Sequence, residues 1–234
     1  SRFKLSNSAT LGTNDLLHRS SPVQIGTSSW TQVSANYLFT TAVRTDGTLW
    51  SWGANTNGEL GIFTDILPRS SPVQIGTNTN WSKVGNSGAI TNTGILYVWG
   101  SAAFTAQNDN PSLIQTRSSP VQLGTSSWTM VGGNYRTGAG ITTDGLLFTW
   151  GQNISGQLGD NTVVYRSSPV QVTSIYSLEQ QNTYLTNTGK TTFSWSQLST
   201  NGTNGTTAAI RSDGALFTWG DNATGQLGIS DTAH

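Results

Sequence analysis

The sequence predicts an all-β chain folded as a β-propeller of four-stranded blades, each about 49 residues long. Three observations predict it. The hexapeptide Arg19-Ser20-Ser21-Pro22-Val23-Gln24 returns at Arg69, Arg117 and Arg166, at intervals of 50, 48 and 49 residues. Each interval holds short segments of strand character separated by clusters of Gly, Asn, Asp and Ser. Tryptophan recurs in phase with the repeat, at Trp30 and Trp52, Trp81 and Trp99, and Trp128 and Trp150. Self-similarity at such a period marks a propeller or a solenoid. Four short strands per unit select the propeller.

The elements follow in order. Residues 1–18 are read as the tail of a preceding unit, because they match residues 217–234 at Leu11-Gly12, Asp15 and His18. The chain thus begins and ends at one phase of the repeat, which leads us to expect a fragment of a longer array. In the first unit, 19–68, Pro22 to Ile25 alternates apolar and polar, with proline expected at the strand start, where its missing N–H matters least. Trp30 to Val33 and Phe39 to Arg44 read as the next strands, and Asp46-Gly47 as a two-residue hairpin. Thr48 to Trp52 closes the set, and Gly53 to Gly58 reads as a loop before Leu60-Gly61.

Units 69–116 and 117–165 repeat this plan, with hairpins at Thr93-Gly94 and Asp144-Gly145. The second unit lacks the Gly-Gln-Leu-Gly loop pattern between Ser101 and Gln115. Residues 166–234 are irregular. There Trp195 matches both Trp99, which ends a strand set, and Trp30, which opens one. We therefore expect about 29 residues to be missing near Trp195. The whole is one repeat domain representing about five blades.

Composition excludes several function classes. Eleven basic side chains balance eleven acidic ones, and only 9% of residues are charged. The three lysines (Lys4, Lys83, Lys190) and the eight arginines are scattered, which opposes nucleic-acid binding. Cysteine is absent, so neither disulfides nor thiolate metal sites are expected. No apolar run approaches the roughly 20 residues that span a bilayer. His18 and His234 share one loop phase without ligand-spaced companions, so no metal is expected. No nucleophile elbow, phosphate-binding loop or dinucleotide motif occurs, and the hairpin carboxylates Asp46, Asp144 and Asp213 recur with the period as turn formers. We expect neither an enzyme nor a cofactor.

The motif Ala215-Leu216-Phe217-Thr218-Trp219-Gly220, continuing to Gly225-Gln226-Leu227-Gly228, resembles the regulator-of-chromosome-condensation repeat. The Pro-Val-Gln of the hexapeptide and the Trp-x-x-Val strand resemble its bacterial and viral branch. The resemblance covers nearly the whole chain and implies a propeller of seven blades. Many members place a His-Thr pair ahead of the hairpin's first strand. Here the matching positions hold Phe39, Asn86, Thr137, Gln181 and Thr206.

The phased tryptophans read as packing between blades, in preference to a carbohydrate-stacking platform. Aromatic and Arg residues that break the pattern are the candidate interaction residues, because such side chains anchor interfaces: Tyr37, Phe39, Phe63, Phe104, Tyr135 and Arg136. The leading expectation is a non-enzymatic interaction or structural module with a protein partner or neighbouring subunit. The Thr-, Ser-, Asn- and Gly-rich composition places it on a virion (tail, fibre or decoration protein) or among extracellular proteins. Two alternatives are implied by the resemblance: nucleotide exchange on a small GTPase, and inhibition of a secreted enzyme.

Overall fold

A computed structural model describes residues 11–36, 38–86, 88–100, 116–134, 136–173, 194–201 and 205–229. Among them are fourteen strands and no helix. The first blade is an antiparallel sheet of β1 (Trp30–Ala35), β2 (Phe39–Arg44), β3 (Leu49–Gly53) and β4 (Arg69–Gln74), in that order. The second contains β5 (Trp81–Gly85), β6 (Gly88–Thr91), β7 (Ile95–Gly100) and the first part of β8 (Arg117–Gly133). β8 runs on without a break to open the third blade, completed by β9 (Thr137–Thr142), β10 (Leu147–Gly151) and β11 (Arg166–Gln171). The fourth sheet is β12 (Trp195–Asn201), β13 (Thr206–Arg211) and β14 (Leu216–Gly220).

The propeller expectation holds, but the blades are out of phase with the sequence unit. The hexapeptide does not open a blade; it closes the preceding one. Arg69 pairs with Gly53, Arg117 with Gly100 and Arg166 with Gly151. Proline sits inside these strands rather than at their start. It is tolerated there because the strand is the outermost of its blade and the missing N–H removes no ladder bond. The first copy, Arg19 to Gln24, forms no strand.

Each blade opens on a tryptophan followed by a register shift: Trp30/Gln32, Trp81/Lys83, Trp128/Met130 and Trp195/Gln197. Trp195 is thereby assigned to the opening role. Its N–H donates to the Gly145 carbonyl at 2.8 Å, as those of Trp81 and Trp128 donate to Gly47 (3.1 Å) and Gly94 (2.8 Å). Between β11 and β12 lie residues 172–194, where 75–80 separate β4 from β5 and β8 passes from the second blade to the third without a break. The expectation of missing residues turns on 174–193, which lie outside the described residues.

The core lies between blades. Three aliphatic residues on the trailing face of one blade meet the aromatic leading face of the next. Val43, Leu49 and Ile75 pack on Trp81 and Trp99, and Ile141, Leu147 and Val172 pack on Trp195, with Phe217 and Trp219 against the same cluster. In the middle interface Ile90, Leu96 and Leu123 meet Trp128 and Trp150. The strict phase of the tryptophans therefore serves packing. Within each leading face the rings meet edge to face, as with Trp128 and Trp150, 6.1 Å apart at 70°.

The hairpin before β14 carries the largest electrostatic bias. Arg211 donates to both Asp213 oxygens at 2.6–3.0 Å, and first this, then the Ala215 N–H, holds the Asp213 pKa at about 2 against an ordinary 3.8. A depressed carboxylate pKa stabilises the fold above the unfolded-state value and stops doing so as pH falls through the folded one. Stability is therefore expected to decline between about pH 4 and pH 2. Chemical denaturation across that range should show a shallower decline in Asp213→Asn. An unchanged slope would remove this pair from the acid response.

Candidate functional site

The antiparallel order places two kinds of connection at one end of the blades: the turn between first and second strands, and the loop between third and fourth. They are bonded to each other, since Ala54 N–H donates to the Leu38 carbonyl and Gln152 N–H to the Arg136 carbonyl, both at 2.8 Å. Beneath the described loops of the first, third and fourth blades lies a buried asparagine. Asn55 accepts the Leu60 N–H (3.0 Å) and donates to the Asp65 carbonyl (2.7 Å). Asn153 accepts the Leu158 N–H (2.9 Å) and donates to Thr162 O (2.8 Å), and Asn222 accepts the Leu227 N–H (3.0 Å). A side chain from the third strand closes the other side of the motif: Ser51 and Thr149 donate to the Leu60 and Leu158 carbonyls at 2.7 and 2.6 Å. The Gly-Gln-Leu-Gly pattern is thus a fixed platform.

Above it the loop displays apolar side chains. The Asp65 carboxylate accepts the Leu67 N–H at 2.9 Å and the Arg69 guanidinium at 2.6 Å. The bond from Arg69, then the Leu67 N–H, lowers its pKa. This clasp pairs the Asp65 charge with Arg69, and Ile66 and Leu67 between them are both exposed. Asp15 and Arg19 form the same clasp beneath the exposed Leu16 and Leu17. Asp160 and Arg166, 2.6 Å apart, do so near the exposed Val163 and Val164. The sequence reading passed over these pairs, treating the segments as loop. Their signal is an apolar dipeptide ahead of each hexapeptide, three and two residues before Arg19, Arg69 and Arg166 and one residue further from Arg117.

Phe63 stands out in this setting. It is 76% exposed and its backbone is left-handed, with φ of 60°. Three residues after the Leu-Gly leucine, the other two described loops hold Asn14 and Asn161, with φ of 63° and 59°. Asparagine tolerates this conformation; a bulky side chain does so at a cost of about 1–2 kcal/mol. The Phe63 N–H is fixed to the Ser118 carbonyl of the second blade's outer strand at 2.6 Å, so the ring is presented from a pinned backbone.

The other candidates fall differently. Phe39 is 5% exposed, within β2 and against Gly53, so it belongs to the core and not to a surface. Arg136 is exposed in the turn before β9, at the same end of the blades as Phe63; its N–H donates to Asn134 Oδ1 at 2.9 Å. Tyr37, Phe104 and Tyr135 lie outside the described residues, as does His234. Among the described residues no group of three or more His, Asp or Glu side chains is placed to hold a metal ion.

The sequence pattern of the "Regulator of chromosome condensation (RCC1) repeat" matches residues 46–88, 144–180 and 213–234, and a second pattern of the same description matches 30–59. The chain is 26% identical over 198 residues to the ultraviolet-B receptor UVR8 of Arabidopsis thaliana, covering 81% of this chain and 41% of that protein. It is 28% identical over 127 residues to the E3 ubiquitin-protein ligase HERC2 of Homo sapiens, covering 51% of this chain and 3% of that one. The fold superposes on human WBSCR16 with a TM-score of 0.70 at 22% identity, over 93% of this chain and 54% of that chain. It superposes on Prp20p from Saccharomyces cerevisiae, a protein described with its binding properties to Gsp1p and histones, with a TM-score of 0.62 at 19% identity, over 86% and 47%. The chain therefore spans about half the length of these structures and less than half of the curated relatives. Together with the blades and their phased tryptophans, these matches show that the chain belongs to the regulator of chromosome condensation (RCC1) repeat family.

Proposed function

We propose that the chain is a non-enzymatic protein-interaction module whose partner meets the blade end that carries Phe63. The observation that supports this is the exposed aromatic ring on a left-handed backbone, at a phase where asparagine serves the other loops. Packing does not account for it, since the ring is mostly in solvent, and the local conformation disfavours it. A rigid aromatic in the same loop as the exposed Ile66 and Leu67, with Asp65 and Arg69 paired to each other, has the character of an interface anchor. The partner surface that suits it is apolar and uncharged. Composition favours a virion or extracellular setting for that encounter.

Two measurements test the reading. Phe63→Asn is expected to raise unfolding stability by about 1 kcal/mol, through relief of backbone strain at little packing cost, while abolishing partner binding. A photo-crosslinking phenylalanine analogue at position 63 should yield a discrete protein adduct in the native source, absent when the probe sits at the exposed Thr224. Equal labelling from both positions would overturn the proposal. The adduct's identity separates the alternatives: a capsid or tail protein, a small GTPase whose nucleotide release is then assayed, or a secreted hydrolase tested for inhibition.

A further inference from the structure

Asparagine followed two residues later by serine or threonine, with no proline between, is the acceptor triplet for asparagine-linked glycosylation. The chain holds five, at Asn80-Trp81-Ser82, Asn153-Ile154-Ser155, Asn201-Gly202-Thr203, Asn204-Gly205-Thr206 and Asn222-Ala223-Thr224. Those of Asn201 and Asn204 run through 202–204, outside the described residues. The other three fall in opposite settings. Asn80 is exposed, in the junction ahead of β5. Asn153 and Asn222 are the platform asparagines of the third and fourth blades, both 0% exposed. The Asn153 Nδ2 donates to the Thr162 carbonyl at 2.8 Å, to Asp160 Oδ1 at 3.0 Å and to the Val164 carbonyl at 3.2 Å. Asn55 builds the same platform in the first blade without a triplet, because Asn57 stands where Ser155 and Thr224 stand. The platform therefore needs the asparagine and not the hydroxyl two residues on.

We propose that Asn153 and Asn222 are acceptor sites whose glycosylation is incompatible with this fold, so that the chain completes its platforms in a compartment free of asparagine-linked transfer. The transfer joins the amide Nδ2 to C1 of a sugar carried on a polyprenyl pyrophosphate. The N–C1 bond forms as the C1–O bond to the pyrophosphate breaks, and one amide proton passes to a base of the transferase. At zero exposure either nitrogen is reachable only before folding. After transfer the acceptors that two Asn153 hydrogens serve are left with one. A bulky, hydrated glycan on a wholly buried atom must also displace the loop and uncover Leu158, which is fully buried. Of the settings that composition favours, this keeps a particle assembled in the cytosol and export from a cell without the transfer, and sets aside passage through a glycosylating lumen. The inference stands apart from Phe63, whose loop holds no triplet.

The test directs the chain into such a lumen behind a secretory leader, with Asn201→Gln and Asn204→Gln so that the three described triplets remain. The expected product carries glycans at Asn153 and Asn222, is protease-sensitive and is retained in the cell. Ser155→Asn with Thr224→Asn, which copies the first blade, should restore a protease-resistant, secreted chain with glycan at Asn80 alone. Blocking synthesis of the lipid-linked donor should rescue the unrepaired chain in the same way. Made in the cytosol, the two versions should be equally folded, which separates loss of the acceptors from any effect of the substitutions on the platform. Peptide mapping of the native polypeptide should find all five asparagines unmodified. The proposal is overturned by an unrepaired chain secreted in folded form, by one that stays unfolded with the donor blocked, or by a glycan at any triplet of the native protein.

Discussion

Trp150→Ala is expected to destabilise the chain by about 3–5 kcal/mol, the range for truncating a large buried aromatic. The ring is wholly buried between the second and third blades, among Ile90, Leu96, Leu123 and Trp128. It lies across Gly138, its partner in the β9–β10 ladder, so close that a side chain there would meet the indole at 2.2 Å. Both walls of the resulting cavity are hydrogen-bonded sheets, which limits collapse and holds the cost at the upper part of the range. Trp30→Ala, at a half-buried ring, should cost distinctly less. Denaturant unfolding of both variants checks this. A change below about 1 kcal/mol for Trp150 would mean that the interface tolerates an empty ring site and that the phased tryptophans serve something other than packing.

The repeat made much of this architecture legible. Strand content, hairpins at Asp46-Gly47 and Asp144-Gly145, and the inter-blade place of the tryptophans follow from local rules that survive in each unit. The phase of the blade did not, because Arg-Ser-Ser-Pro-Val-Gln is equally compatible with pairing to the strand before it or after it. Only the ladder from Gly53 to Arg69 decides that. Phe39 shows a second limit: an aromatic that breaks a repeat can be a substitution in the core, as readily as an addition to the surface. Phe63 was legible as an aromatic out of pattern, but its meaning lay in a backbone angle. The column Asn14, Phe63 and Asn161 carries that angle once the loops are aligned on their Leu-Gly pairs. The apolar dipeptides were missed because loop segments are read for turn chemistry, while the Asp–Arg clasp around them spans four residues in two loops and six in the third.

Gly47→Ala is expected to cost about 3 kcal/mol or more, combining a left-handed penalty of about 1–2 kcal/mol with an overpacking term of similar size. At φ of 78° a methyl group would sit 2.0 Å from the Thr79 carbonyl oxygen and 2.7 Å from its carbon. That obstacle is backbone, in the junction leading to Trp81, so it cannot swing aside. Displacing it also pulls the Trp81 N–H from the Gly47 carbonyl, a 3.1 Å bond. Gly214→Ala is the matched comparison: the same hairpin phase, φ of 91°, and no described residue within 4 Å of the added carbon. It should cost only the strain, about 1–2 kcal/mol. The difference between the two isolates what blade docking demands of a residue that the sequence alone explains as a turn former. Equal costs would show a junction that yields to a methyl group.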